Sequence, residues 1–209
     1  MYGALVREKP GLIPVGCWSH ARRKFVEALE ERPEPAGWLV TEIRKLYLIE
    51  RQARDECLEP DQRLRLRQDK SVPILAAFKP RLEELLPGCL PQSPLGKAIR
   101  YALAEWEPLN RYLEDGRLEI DNNLTENAIR PSAVGKKNWL FIGDADAGHR
   151  GAILYTIVES CRRRGIDPLA YLRDVLTLLP RMTISQVQGI TPQAWANAQR
   201  HCEPLRLAS

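Results

Sequence analysis

No apolar run in this sequence is long enough to span a bilayer, which excludes a chain built from membrane-spanning helices. Met1 to Pro14 lacks the basic-then-apolar pattern of a secretion signal. Cysteine is scarce and irregular: five residues, at positions 17, 57, 89, 161 and 202, an odd count that argues against a disulfide framework. Histidine is scarcer, with three residues. Cys17 and His20 form one C-x-x-H, but a structural zinc site needs four ligands and no second pair follows, so zinc is not expected. An excess of one charge is missing too: 31 Lys and Arg against 27 Asp and Glu leave a net +4, too little to name a partner.

What is present is enough apolar material for a core. Hydrophobic residues make up 44% of 209 positions, which suits one domain, or one with an appended subdomain, and not a disordered tail. Charge is concentrated locally. Arg22-Arg23-Lys24, Lys136-Lys137 and Arg162-Arg163-Arg164 are separate basic clusters, each suited to a polyanion or to a solvated helix face.

The densest chemistry lies between Leu118 and Gly143, in LEIDNNLTENAIRPSAVGKKNWLFIG. Asn123 followed three residues later by Glu126 fits a capping box, and Arg130 lies one further turn along the same face. Pro131 disfavours helical geometry at Arg130 and predicts the helix end there. Gly135 to Asn138 then reads as a cationic turn and Trp139 to Ile142 as a strand. Two readings of Glu126 stay open on spacing alone. It caps its helix and pairs with Arg130, or it is a metal-binding acid whose cationic neighbours hold a polyanion.

Elsewhere the pattern is mostly helical. Leu12 to Trp18 reads as a strand, and Ser19 as the N-cap of a helix reaching about Glu31 that buries Ala21, Phe25, Ala28 and Leu29. Gly37 to Leu58 carries an apolar stripe of Leu39, Ile43, Leu46, Tyr47 and Ile49, with Glu50-Arg51 and Arg54-Asp55-Glu56 read as a solvated face. Asp61 to about Leu86 holds Pro73 and Pro80, which predict a kink or break, and Pro108 is expected to bend or split a helix over Leu95 to Leu113. These helices show no dense polar constellation and predict a packed helical subdomain. Gly143 to Gly148 reads as a loop. Arg150 to Arg164 reads as a helix placing Ile153, Leu154, Ile157, Val158 and Cys161 against a core. Asp167 is expected to cap a helix with Pro168 at its first position, whose Leu169, Leu172, Val175, Leu176 and Leu179 continue that core. Thr191-Pro192 starts a last short helix holding Trp195.

Four blocks, GCWSHARRKFVEAL, DNNLTENAIRP, GKKNWLFIGD and HRGAILYTIVESCRRRGIDPLAYLRDVL, resemble in order the C-terminal half of the IS66 transposase family of bacterial insertion sequences. The resemblance runs from about Pro14 to Leu179. It implies a ribonuclease H-like catalytic domain with an Asp-Asp-Glu triad and a helical insertion between its second and third acids. Glu126 falls on the third acid and so on a metal ligand. Met1-Tyr2-Gly3 falls where the family finishes the strand bearing its second aspartate. The first two acids are therefore expected to be missing, since Asp55, Asp61 and Asp69 lie in the insertion and match neither.

The fold this implies is mainly α with a small partial β-sheet, the C-terminal part of a ribonuclease H-like α/β domain with a helical insertion. Its expected parts are residues 12–36, a strand and helix of a partial core; 37–116, the insertion; 117–180, the C-terminal part of the core; and 181–209, a tail. The implied function is that of a transposase fragment for insertion-sequence transposition by metal-dependent strand transfer, inactive alone. The alternative is a non-catalytic DNA-binding remnant or regulator. Phosphoryl transfer of this kind uses two divalent cations about 3.5–4 Å apart held by several carboxylates. Mg²⁺ or Mn²⁺ is thus the implied cofactor of the complete enzyme, not stably bound by this fragment. Transposon-end DNA is the implied partner, contacted at its phosphates by Arg22, Arg23, Lys24, Arg130, Lys136, Lys137 and Asn138. A cytoplasmic bacterial protein that self-associates, without membrane contact, completes the expectation.

Overall fold

The computed structural model describes residues 11–139 and 143–200. Among them every regular element is helical, and the chain divides into two compact units between Leu124 and Thr125. No helix among the described residues is long and apolar enough to cross a membrane.

The first unit contains α1 (Trp18–Glu27), α2 (Pro33–Asp55), α3 (Pro60–Leu85), α4 (Pro94–Ala104) and the short α5 (Trp106–Asn110). Three of these helices open on a proline, whose fixed φ suits the first turn and whose missing N–H costs nothing there. The face of α1 is Trp18, Ala21, Phe25 and Ala28, spaced three and four apart and fully buried. It packs on α2 and α4, while α2 also lies along α3. Phe78 of α3 gathers four rings about itself. Trp18 meets it edge-on at 5.7 Å and Phe25 at 6.1 Å, while Trp38 and Trp106 stack on it at 6.1 and 6.3 Å. Such geometries add about 0.5–1.5 kcal/mol per pair beyond area burial.

The expected partial β-sheet is absent from the described residues, and no ribonuclease H-like α/β fold is seen. The Leu12 to Trp18 run is not a strand: Leu12, Ile13 and Val15 are exposed, and the buried Cys17 and Trp18 lead into the first helix. Its backbone donors also go elsewhere than to a ladder. Gly16 N–H reaches the Pro108 carbonyl at 2.7 Å and Trp18 N–H the Ile120 carbonyl at 3.1 Å. The first helix begins at Trp18, with Cys17 and not Ser19 preceding it. Of the second expected strand, Trp139 ends a helix, and Leu140 to Ile142 lie outside the described residues.

Pro73 and Pro80 do not divide α3, although each removes one helical hydrogen bond at about 3 kcal/mol. Leu75, Phe78 and Leu82 are buried between and beyond them, so packing holds the helix across both sites. The helix expected over Leu95 to Leu113 breaks earlier than Pro108, at Glu105.

A polar cluster lies inside this unit, where the sequence predicts only a solvated face. Glu50 and Arg67 are both 0% exposed. Arg67 Nε and Nη2 donate to the two Glu50 carboxylate oxygens at 2.7 and 2.9 Å. Its remaining donors reach the carbonyls of Tyr112 at 2.7 Å, Asp115 at 3.0 Å and Leu118 at 2.8 Å. Arg63 joins from one turn away, donating to Glu50 Oε2 at 3.0 Å and to Glu119 at 2.7 and 2.9 Å. Both charges are paired and hydrogen-bonded, which is the condition for burying them. The enclosed loop is tight: a Cβ on Gly116 would lie 1.8 Å from the Pro60 carbonyl oxygen, so only glycine fits.

Helix α6 (Asn123–Trp139) starts two residues before the boundary, and the second unit holds the rest of it with α7 (Ala145–Arg162), α8 (Pro168–Leu178), α9 (Ile184–Val187) and α10 (Pro192–Arg200). Asp144 caps α7 through Ala147 N–H at 2.6 Å, so the expected acidic loop is the start of a helix. Asp167 caps α8 as its spacing predicts, accepting from Leu169 and Ala170 N–H. The core here is small: Cys161, Ile166, Tyr171, Val175, Ile190 and Ala196. Tyr171 donates to the Ile190 carbonyl at 2.7 Å and meets Trp195 edge-on at 5.8 Å. Ile153, Leu154, Leu169, Leu176 and Leu179, expected in that core, are exposed.

Truncating either partner of the buried pair, by Arg67→Met or Glu50→Ala, leaves an uncompensated charge or carbonyls without donors. Urea unfolding is expected to register a loss of about 3–5 kcal/mol. Glu84→Gln, which breaks the solvent-exposed pair with Arg81, is expected to stay within about 0.5 kcal/mol of the parent.

Candidate functional site

The candidate site starts where the first unit hands the chain to α6. Loop residues 112–120 are held by the Arg63 and Arg67 guanidiniums described above, and Ile120 is buried with its carbonyl accepting from Trp18. Asp121 comes next and is half-buried. Its Oδ1 accepts from Asn123 N–H at 3.0 Å, and its Oδ2 accepts from Asn123 Nδ2 at 2.8 Å and from the Tyr47 hydroxyl at 2.9 Å. The backbone and side-chain N–H groups of Asn123 are thus both donors to Asp121.

The electrostatics follow from these contacts. Burial, with the Asp121 charge beside it, pushes the Tyr47 phenol far above its ordinary value, so it remains a neutral donor. The Arg63 hydrogen bonds hold the Glu119 carboxyl below its ordinary value. The hydrogen bonds from Arg117 hold the exposed Asp115 down at about 2.

Glu126 lies in the first turn of α6 and is exposed, and Arg130 follows one turn later, also exposed. Pro131 does not end this helix, which continues through Gly135 to Trp139, so the expected cationic turn is helical. The residue before proline is biased away from helical geometry without being forbidden it. Ser132 Oγ donates to the Ile129 carbonyl at 2.8 Å just past the proline. Continuing the helix gives Lys137 the same register as Glu126 and Arg130, with Lys136 about a quarter-turn away. Asn138 is exposed. An open groove of about 360 Å³ runs between α6 and α7, lined by Thr125, Ile129, Tyr155, Glu159 and Arg163 among others.

The remaining sequence-predicted cations stand on α1. Arg22 and Arg23 are exposed, whereas Lys24 is half-buried with its Nζ 4.9 Å from the Tyr101 ring centroid, a cation–π contact. Among the described residues no group of three or more His, Cys, Asp or Glu side chains is placed to hold a metal ion. Both Asp121 oxygens already accept hydrogen bonds within the protein. A two-cation centre needs several converging carboxylates, and the described donor set does not fit one.

Residues 1–150 match the Transposase IS66 family, and residues 156–193 match the IS66 C-terminal element. The chain belongs to the IS66 transposase family. Its similar proteins include two from Sinorhizobium fredii (strain NBRC 101917 / NGR234), both described as uncharacterized. The protein y4jD is 36% identical over 182 residues, covering 86% of this chain and 35% of its own length. The protein y4qI is 35% identical over 179 residues, covering 85% of this chain and 33% of its own length. This IS66 chain therefore spans about a third of the length of the curated relatives it matches. No solved structure matches it.

Sequence reasoning gave Arg63, Arg67, Glu119 and Asp121 no part in this cluster, and read Tyr47 as a member of an apolar stripe and Glu50 as solvated. The signal for Glu50 was periodicity: Ile43, Leu46, Glu50 and Ala53 form one buried stripe at three- and four-residue spacing. Arg67 likewise shares its row with Ser71, Leu75, Phe78 and Leu82.

Because the folded Glu119 pKa is depressed, its contribution to stability is full above the unfolded value of about 4.3 and is lost as pH falls through the folded value. Urea midpoints are expected to drop on acidification below that point. Glu119→Gln is expected to lower the midpoint at neutral pH and to flatten the acid limb.

Proposed function

We propose that this chain acts in the transposition of an insertion sequence, holding DNA by phosphate contacts and presenting Glu126 as an acid for strand transfer. The family match over residues 1–150 and 156–193 is the observation that carries the reading. The helix α6 supports it by setting Glu126, Arg130 and Lys137 in one register, with Asn138 exposed near its end. Arg22, Arg23 and Lys24 on α1, together with Lys136, add charge suited to the DNA backbone. Contacts of this kind fix position and carry no base specificity. Glu126 is one carboxylate of a Mg²⁺ or Mn²⁺ requirement that the described residues do not complete.

A second reading, a non-catalytic DNA-binding regulator, is favoured by one observation. Asp121, the acid nearest before Glu126, is committed to Tyr47 and Asn123. The two readings part at Glu126. In a cellular excision assay, the catalytic reading expects Glu126→Gln to abolish excision while DNA binding is kept. Excision that survives the substitution removes the catalytic role.

The phosphate contacts are read by fluorescence anisotropy on a duplex carrying the insertion-sequence ends. The logarithm of the binding constant is expected to fall linearly with the logarithm of salt concentration. Lys136→Glu with Lys137→Glu is expected to weaken binding and to reduce that slope by about 2, at about 0.9 per phosphate contact. Binding indifferent to salt, or unchanged in the double variant, refutes this part.

A further inference from the structure

The first unit carries an open cleft of about 520 Å³ where the start of α2 meets the end of α3, lined by Arg32, Glu34, Pro35, Trp38, Arg81 and Leu85. Trp38 is its unusual member. The residue is 37% exposed, yet its ring is stacked on the fully buried Phe78, with ring centroids 6.1 Å apart and planes 23° from parallel. Phe78 in turn stacks on Trp106 at 15°. An exposed tryptophan backed by packed rings is a rigid platform that loses little freedom when a flat ligand lies on it.

Guanidiniums stand beside the platform. Arg32 is exposed at the start of α2, and Arg81 pairs with Glu84 at 2.7 Å, both side chains being open to solvent. Such a pair is weak and yields readily to a competing anion. Glu34, on the same cleft, accepts hydrogen bonds only, which suits an exocyclic amino group and not a phosphate. Aromatic face, cationic flank and acceptor together match a nucleotide whose base is out of its stack. Duplex DNA keeps its bases inside, so a single strand is the form that reaches the ring.

We propose that this cleft binds one unpaired nucleotide of single-stranded DNA, its base stacked on Trp38 and its phosphate held between Arg32 and Arg81. The inference rests on the DNA-binding reading above and adds a site distinct from the α6 cations. A cleaved or opened transposon end is the source of such a strand.

The test measures, on the full chain, anisotropy of a labelled 12-nucleotide single strand of mixed sequence and of the matching duplex. Trp38→Leu, which keeps an apolar side chain beside Phe78, and Arg32→Ala, at an exposed position, are each expected to weaken single-strand binding by about 5-fold or more. Duplex binding in both is expected to stay within about 2-fold. If Trp38→Leu fails to fold, Arg32→Ala and Arg81→Ala decide the matter alone. Single-strand affinity unchanged in the folded variants overturns the cleft while leaving the duplex reading intact. Absence of binding to either DNA by the parent chain overturns both.

Discussion

One carboxylate, that of Glu50, organises the first unit. It is fully buried and receives guanidinium donors from Arg67 and Arg63 on a neighbouring helix. Burying three charges is costly unless every donor finds an acceptor. Here the surplus donors of the two arginines go to the backbone carbonyls and carboxylate of the 112–119 loop. The segment that follows the 3₁₀ turn Arg111–Leu113 thereby acquires fixed geometry. The ion pair is better understood as a means of specifying one position for that loop than as a source of net stability.

The loop is tied from several directions. The Arg67 guanidinium takes its carbonyls, Trp18 N–H takes the Ile120 carbonyl, and Tyr47 takes the Asp121 carboxylate. These ties come from α3, α1 and α2 respectively, so the helical body as a whole locates Asp121. Asp121 in turn engages Asn123, the first residue of α6, and Glu126 lies in that helix's first turn. The segment that ends at Asp121 is therefore held by hydrogen bonds from three helices of the first unit.

Much of the helical content was legible in the residues. The Ala21-Phe25-Ala28 face, the Asp167 cap with Pro168, and the short helix holding Trp195 are all where spacing puts them. The family was legible because several long blocks agree in order. The sheet expected from that resemblance is absent from the described residues: in the run at Leu12 to Trp18, Leu12, Ile13 and Val15 are exposed and only the end that enters the first helix is buried. Charged residues misled in the opposite direction. Glu50 reads as solvent-facing by type, and only its register with Ile43 and Leu46 betrays that it points inward. Asp121 was hidden by Asn123, a residue equally able to begin a helix, and nothing local decides which of them accepts. Pro73, Pro80 and Pro131 show the limit of local rules. Each penalises a helix, and for the two in α3 packing across the site outweighs the penalty.

The contact of Gly116 with the Pro60 carbonyl has a bearing on how this family's sequences can drift. Pro60 is fixed by its ring at the start of α3, and Gly116 admits no Cβ beside it, so neither neighbour has room to give. Solvent-facing charges around them are free to exchange. Since the obstacle is backbone, no other residue at position 60 would remove it, and position 116 is held to glycine whatever residue opens α3.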